Sequence, residues 1–151
     1  MSSFSLSRDT VVAAAPEAVL VHLDDFRRWQ AWSPWEGVDP DLSRTYSGPT
    51  RGVGAHYRWA GNSKAGEGTM EILESTPERV VVDLRFIKPF KAVNVSRFDL
   101  VPDGAHTRVT WTMTGQRNVL MQVLGRLFFD KAIGGDFERG LADLTKAVES
   151  A

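Results

Sequence analysis

DFERGLADLTKAVES, residues 136–150, is the stretch of this 151-residue chain that decides its fold. Its apolar residues recur at spacings of four, three and four, which puts them on one stripe of a predicted α-helix: Phe137, Leu141, Leu144 and Val148. The opposite side is charged, so we predict a helix with one buried and one solvated face. Gly140 falls on the apolar stripe in mid-helix, where glycine costs about 1 kcal/mol relative to alanine. We therefore expect either that the helix backbone approaches another element closely at Gly140 or that space is left beside the helix there.

The composition is that of one soluble domain. The chain is long enough for a sizeable core, and its apolar (42%) and charged (25%) fractions are ordinary for a globular protein. A net charge of −1 gives no general attraction to nucleic acid or to an anionic membrane. The absence of cysteine excludes disulfides and thiolate chemistry. No stretch is long and apolar enough to span a membrane, and the first residues lack a signal-peptide pattern, so we expect a cytoplasmic protein.

Upstream of the final helix, the pattern predicts one strand, two short helices and six further strands. Residues 4–14 alternate as a strand, Pro16 suits the first turn of a helix, and Asp24-Asp25 separates this helix from a second one over residues 26–32. From Gly37 onward the period is two, with short turns between the apolar runs. Short connections indicate an antiparallel meander, and the final helix must cover its apolar concave face.

Three motifs, in chain order, carry a resemblance to a known family. The first comprises Ala15-Pro16, Val19, Leu23-Asp24, Trp29, Trp32 and Pro34. GEGTMEI at residues 66–72 follows a Gly-x-Gly-x-Met pattern, and the final helix contains Gly-Leu-x-x-Leu. Together they resemble the SRPBCC, or START-like, superfamily of polyketide cyclases/dehydrases and lipid-transport proteins, over nearly the whole chain.

This resemblance implies an α+β helix-grip fold in a single domain. A seven-stranded antiparallel sheet would curve around a long C-terminal helix, with two short helices after the first strand and a cavity between sheet and helix. Members of the superfamily include carriers, receptors, cyclases and co-chaperone-type activators with different catalytic residues. The resemblance therefore implies no particular reaction.

The inward parity of the predicted elements gives the residues expected to line the cavity. They are Val53, Tyr57, Trp59, Met70, Leu84, Phe86, Asn94, Ser96, Phe98, Trp111, Met113, Phe137 and Leu141. Most are apolar, as in ligand pockets generally. Asn94 and Ser96 are polar, and a ligand or a trapped water would satisfy them. The alternative is a bulge near Lys91 that turns both side chains to solvent.

Candidate catalytic and metal-binding residues are few. His22, His56 and His106 lack metal-ligand spacing, and we interpret them as unrelated surface or rim histidines, with His56 the candidate base if its strand parity were reversed. Arg85 and Arg97 have outward parity and are expected in solvent, the alternative being a cavity arginine that binds a carboxylate. No nucleophile triad or nucleotide-binding glycine loop appears. We assign no metal, no cofactor and no catalytic residue.

Three tryptophans lie within seven residues, at 29, 32 and 35. They either pack against one end of the sheet or form an aromatic wall at a pocket mouth. We favour packing for Trp29 and Trp32. Trp35 follows Ser33-Pro34, which ends the short helix, and is the freer of the three.

Residues 118–133 form an amphipathic segment, which we predict to be a separate short helix. It would cover the cavity entrance as a lid, with Leu120, Leu124 and Phe128 facing inward and Gly134-Gly135 as its hinge. A lid or a simple cover over the core is the favoured interpretation, and a dimer contact or a membrane-touching surface is the alternative. The weak net basicity of the segment argues against the membrane.

The function most consistent with these patterns is binding of an apolar or amphipathic small molecule, such as a lipid, a polyketide-like chain or an aromatic compound. A polyketide cyclase or aromatase is the enzyme alternative, and it would need an acid or base in the cavity. A protein-interaction module that uses the outer surface is a third reading. We expect no nucleic-acid partner, no stable membrane insertion, and a monomer or a homodimer.

Overall fold

The computed structural model describes residues 3–88, 91–116 and 126–151. The strands are β1 Ser3–Val12, β2 Ser43–Ser47, β3 His56–Ala60, β4 Glu67–Thr76, β5 Arg79–Lys88, β6 Ala92–Asp103 and β7 His106–Gln116. The helices are α1 Pro16–Leu23, a 3₁₀ helix Phe26–Ala31, and α2 Arg126–Glu149. The predicted order of elements and the α+β class are confirmed.

The seven strands form one antiparallel sheet in the order β1-β7-β6-β5-β4-β3-β2. Strands β2 to β7 pair with their neighbours in sequence, because short turns such as the one containing Gly104 (φ 62°) reverse the chain between them. Strand β1 joins the far side of β7, from Ser3↔Gln116 to Val12↔Thr107. One face of the sheet carries the buried residues, for example Val80 and Val82 on β5.

The two short helices form a compact unit that covers part of this face. Asp25 accepts a hydrogen bond from the Arg27 backbone N–H at 3.1 Å and so begins the 3₁₀ helix. The indole N–H of Trp29 donates to the Leu23 carbonyl, and that of Trp32 to the His22 carbonyl, both at 2.9 Å. These bonds satisfy carbonyls that the end of α1 leaves without a helical partner. Trp29 and Trp32 are both buried; Trp32 packs in the core as predicted, whereas Trp29 also lines a cavity.

Helix α2 places its apolar stripe on the sheet, as predicted. Its inward residues are all buried: Phe137, Leu141, Leu144 and Val148. At Gly140 a Cβ atom would lie 2.9 Å from Cδ of Pro34 and 3.1 Å from Cζ3 of Trp111. The close approach expected at this glycine is therefore confirmed.

The predicted hinge at Gly134-Gly135 is wrong. Helix α2 runs without interruption from Arg126 through both glycines to Glu149, so they do not separate two helices. At Gly134 the absence of a side chain instead lets the guanidinium of Arg8 lie against the helix. The proposed lid residues Leu120 and Leu124 lie outside the described residues, as does the side chain of Phe128.

Candidate functional site

A cavity of about 330 Å³ lies on the buried side of the sheet. Its wall combines side chains from β1 and from β3 to β7 with the 3₁₀ helix, the loops beside it and α2. Most wall residues are aromatic or aliphatic: Phe4, Trp29, Trp35, Val38, Leu42, Tyr57, Trp59, Ala65, Met70, Leu84, Phe86, Met113 and Ile133. The polar ones are Ser33, Glu36, Ser63, Lys64, Asn94 and Ser96. Such a wall is typical of small-molecule sites.

The structure brings most of the predicted lining residues together in this wall. They are Tyr57, Trp59, Met70, Leu84, Phe86, Asn94, Ser96 and Met113. Strand register explains the grouping, because Tyr57↔Met70, Met70↔Leu84 and Leu84↔Asn94 are paired across β3 to β6. The cavity therefore occupies one end of the buried face of the sheet.

The other predicted lining residues belong to the core or to the surface. Phe98, Trp111, Phe137 and Leu141 are buried at the filled end of the same face. Trp111 stacks between Phe98 and Phe137, with ring centroids 5.1 and 3.9 Å apart. None of these four residues lines the cavity, so inward parity alone did not separate wall from core.

Val53 was wrongly predicted to line the cavity. It is 61% exposed and precedes β3 in a turn where Gly52 and Gly54 have φ values of 84° and 93°. Because these two glycines reverse the chain, the period-two alternation of this segment begins only at Ala55. Extending the pattern back to Val53 assigned it to the wrong environment.

Trp59 forms a rigid part of the wall. Its indole N–H donates to the Ala65 carbonyl at 2.9 Å, which fixes the ring against the β3–β4 turn. The ring lies over Gly68, where any side chain would collide with it, and packs edge-on against Phe86 with centroids 5.8 Å apart. Trp35 is held similarly, because its N–H donates to Asp136 Oδ2 at 3.3 Å.

Asn94 and Ser96 face the interior, and the alternative of a bulge that turns them to solvent is wrong. The β5–β6 register runs without a shift from Phe86↔Ala92 to Arg79↔Asp99. Asn94 is 3% exposed, and its Oδ1 has no hydrogen-bond partner among the described residues. Ser96 Oγ accepts a long hydrogen bond, 3.4 Å, from the indole N–H of Trp111.

Glu36 is a wall residue that the sequence analysis did not identify. Arg44 donates from Nε to Glu36 Oε2 at 3.3 Å and from Nη2 to the Glu36 backbone carbonyl at 3.1 Å. The Tyr57 hydroxyl donates to the same Oε2 at 3.1 Å. Glu36 Oε1 is buried and has no hydrogen-bond partner in the described part of the chain. The carboxylate therefore has one satisfied oxygen and one unsatisfied oxygen.

These contacts shift the pKa values of both partners of Glu36. Burial, with the nearby negative charge of Glu36, raises the pKa of the Tyr57 phenol well above its usual value, so Tyr57 remains a hydrogen-bond donor at neutral pH. For Arg44, burial lowers the pKa, but attraction to Glu36 and the hydrogen bond to it outweigh this effect and raise it. The cluster thus contains an arginine cation, a carboxylate and a neutral phenol.

A weak signal for this cluster was present in the sequence. Leu42, Arg44 and Tyr46 share one parity of a short strand, so Arg44 stands on the same side as two apolar neighbours. An inward arginine requires an anionic partner. No pattern, however, connects Arg44 to Glu36, because Glu36 lies in the irregular segment after Ser33-Pro34.

The arginines predicted to lie on the outer face do so. Arg85 bonds Asp83 at 2.8 Å and Arg97 bonds Asp99 at 2.9 Å, in both cases with exposed arginine side chains. Neither of them lines the cavity, so the alternative of a cavity arginine does not hold for Arg85 or Arg97. Arg44, by contrast, forms an ion pair with the wall residue Glu36.

The three histidines do not meet at one site. His106 is exposed at the start of β7, and His56 on β3 lies 3.4 Å from Ser47 Oγ. His22 was expected at the surface but is buried, with Nδ1 3.0 Å from the Ala18 carbonyl, because α1 turns this side toward the core. Within the described ranges, no group of three or more His, Asp or Glu residues is arranged to hold a metal ion.

An antiparallel sheet packed against a long C-terminal helix, with an apolar cavity between them, defines the helix-grip class of proteins. The chain belongs to the polyketide cyclase/dehydrase and lipid transport family, which matches residues 3–149. Comparison with curated proteins gave no match. No helix in the described segments is long and apolar enough to cross a membrane.

Solved structures share this fold at low sequence identity. Protein CV1439 from Chromobacterium violaceum aligns with a TM-score of 0.69 and 16% identity, covering 96% of both chains. TTHA0849 from Thermus thermophilus aligns with a TM-score of 0.69 and 19% identity, covering 97% of this chain and 98% of that one. SA2116 from Staphylococcus aureus gives a TM-score of 0.73 at 10% identity, covering 99% and 95%. At these identities the likeness supports the fold alone.

Proposed function

We propose that the protein binds an apolar or amphipathic small molecule in the cavity between the sheet and α2. The observation that carries this proposal is the cavity wall, which is formed largely by aromatic and aliphatic side chains, including residues of five strands of the sheet. Transfer of an apolar molecule from water to such a wall is favourable, at roughly 25 cal/mol per Å² of buried apolar surface. The favourable free energy of binding would therefore come mainly from removing the apolar surface of the ligand from water.

The cavity volume limits the size of this ligand. A water molecule occupies roughly 30 Å³ in the liquid, so a cavity of about 330 Å³ has the volume of about eleven waters. Organic groups pack more densely than liquid water, so an occupant has on the order of ten to twenty non-hydrogen atoms. A compound with one or two rings, or a short acyl chain, fits this limit.

Native mass spectrometry of the freshly purified protein tests the proposal first. We expect a reproducible co-purifying mass, or binding of one- and two-ring aromatic compounds in calorimetric titrations. Leu84→Trp should abolish binding because the indole would enter the cavity, whereas Val53→Trp at an exposed position should leave binding unchanged. Unchanged affinity in a folded Leu84→Trp protein would show that the ligand binds elsewhere.

A cyclase-type reaction is the second candidate, and Glu36 is the observation that favours it. Glu36 lines the wall, and a carboxylate is a type of group that can accept a proton from a bound carbonyl compound. Turnover of a polyketide-like carbonyl chain that disappears in Glu36→Gln would support catalysis. Binding of such chains without turnover would leave the carrier function alone.

A further inference from the structure

Resting on the proposed binding function, we propose that the ligand is an amphipathic anion, whose charged end, such as a carboxylate, pairs with Lys64 at the mouth of the cavity while its apolar part lies inside. The mouth is the place where the cavity wall meets solvent, and Ser63 and Lys64 of the β3–β4 turn lie there. This assignment fixes the charge and the orientation of the ligand, neither of which follows from an apolar wall.

The first argument is the exposure of the wall residues. Among the described wall residues only Ser63 and Lys64 are exposed, and the others are buried or half-buried. The cavity therefore opens to solvent beside the β3–β4 turn. An apolar group gains free energy inside the wall, whereas a charged group keeps most of its hydration at the mouth. A molecule with one charged end thus has one favourable orientation, with that end beside Lys64.

The second argument is that the β3–β4 turn is held in place. Asn62 Oδ1 accepts hydrogen bonds from the backbone N–H groups of Lys64 and Ala65, both at 3.0 Å. The Ala65 carbonyl accepts from the indole N–H of the wall residue Trp59 at 2.9 Å. Asp39 Oδ2 accepts from the Asn62 backbone N–H at 2.8 Å. The backbone that carries Lys64 is thus tied to the wall before any ligand binds, so binding requires little ordering of this turn.

The third argument is the balance of charge at the wall. Glu36 and Lys64 are the charged residues among those described in the wall, and Glu36 is paired with Arg44. Lys64 forms no ion pair with a described carboxylate, since Asp39, which is bonded to the turn, uses both oxygens on backbone N–H groups. The Ser63 hydroxyl beside it is a second donor without a partner in the described part of the chain. The mouth therefore has a positive charge that favours an anionic ligand end.

Three probes with one ring system and different charges test this inference. 2-Naphthoate is an anion, 2-naphthamide is a neutral molecule of nearly the same shape, and 2-naphthylmethylammonium is a cation. All three fall within the size limit of the cavity. In calorimetric titrations at neutral pH, we expect the wild-type protein to bind the anion more tightly than the cation, because only the anion is attracted to Lys64.

Lys64→Met removes the charge and keeps an apolar stem. An ion pair at an exposed position changes affinity by up to about fivefold, so this variant should bind 2-naphthoate about threefold to fivefold more weakly. Its affinity for 2-naphthamide should stay within about twofold of wild type, since the amide has no charge to lose. Lys64→Arg keeps the charge and should retain the wild-type order. At about 1 M salt, where the screening length is roughly 3 Å, the effect of Lys64→Met should fall below about twofold.

Lys146 provides a matched control. It is exposed on α2 and lies outside the cavity wall. Lys146→Met makes the same change in net charge as Lys64→Met. Because the anion does not reach this position, all three affinities should stay within about twofold of wild type.

The outcomes separate the two proposals. If the wild type binds none of the probes and co-purifies with nothing, the binding function itself fails. If it binds them but prefers the cation, or if Lys64→Met changes the affinities for anion and amide equally, the binding function stands and the anionic inference is overturned. An equal loss in Lys146→Met would overturn the assignment to the mouth. Should Lys64→Met not fold, as judged by circular dichroism, a wild-type preference for anion over cation that salt leaves unchanged overturns the inference.

Discussion

Gly140 offers a sharp test of how α2 packs. Alanine at this position would gain about 1 kcal/mol of helix propensity over glycine. Its Cβ, however, would lie 2.9 Å from Cδ of Pro34 and 3.1 Å from Cζ3 of Trp111, both closer than ordinary van der Waals contact. Both atoms belong to rings that cannot rotate away. Overpacking of this kind costs about 1–3 kcal/mol, so Gly140→Ala should lower the free energy of unfolding by roughly 0–2 kcal/mol.

Gly135 provides a matched control on the same helix. A Cβ there would have only the flexible end of Arg139 nearby, at 3.8 Å. Gly135→Ala should therefore stabilise the protein by about 0.5–1 kcal/mol through propensity alone. Since propensity enters both variants equally, the difference between them isolates the packing term, expected to be about 1–3 kcal/mol.

Urea unfolding followed by tryptophan fluorescence measures both variants. The comparison requires equal denaturant slopes, so that shifts in midpoint report stability alone. If Gly140→Ala stabilises the protein as much as Gly135→Ala, the helix has room at Gly140 and the close approach to Trp111 is not a constraint.

Three further predictions concern other parts of the molecule. Asp24→Ala removes a buried carboxylate that accepts hydrogen bonds at 3.1 Å from an arginine and 2.9 Å from a serine, and should lower the free energy of unfolding by roughly 1.5–3 kcal/mol in urea titrations. Burial raises the pKa of both Tyr46 and Tyr57, the two tyrosines of the chain, above the unfolded value of about 10. Their contribution to stability is present below pH ~10 and is lost as pH rises above it, so ultraviolet absorbance should show tyrosinate only as the fold is lost. Gly115→Ala would displace the Asn94 amide and should cost about 1–3 kcal/mol of stability in the same urea titrations.

Each of these predictions has an outcome that contradicts it. An unchanged urea midpoint for Asp24→Ala would mean that the hydrogen bonds to its carboxylate contribute nothing net. A tyrosinate absorbance step near pH 10, with the near-ultraviolet circular dichroism intact, would place one tyrosine in solvent. Gly115→Ala with wild-type stability would show that the Asn94 amide has another position available.

The regular elements could be predicted from the sequence because each is specified by local periodicity. The stripe from Phe137 to Val148 and the alternation along β5 depend only on which face of one element is apolar. Prediction failed where this period did not apply. Val53 was assigned by extending a strand through two glycines of positive φ, and a hinge was assigned to Gly134-Gly135 although α2 continues through both.

The candidate site could be predicted only in part. The parity of a residue in a strand shows which face of the sheet its side chain lies on, but not whether that part of the face lines the cavity or the filled core. Asn94 and Phe98 have the same parity on β6, yet Asn94 lies at the cavity wall and Phe98 in the core. What separates them is Trp111 and the helices packed above it, which fill one end of the sheet. These contacts join residues far apart in the chain, and no local pattern encodes them.

The sequence by itself determined the order of elements and the buried face of each, and its motifs carried the resemblance to the family. The order and the buried faces follow from periodicity within short stretches. Only the tertiary structure decided where the cavity lies and that Glu36, Arg44 and Tyr57 meet at its wall. Glu36 lies in a loop, and its environment is set by strands β2 and β3 that fold against it. The free energy of burying a charged group depends on such distant partners, so the chemistry of the site emerges only when the chain is folded.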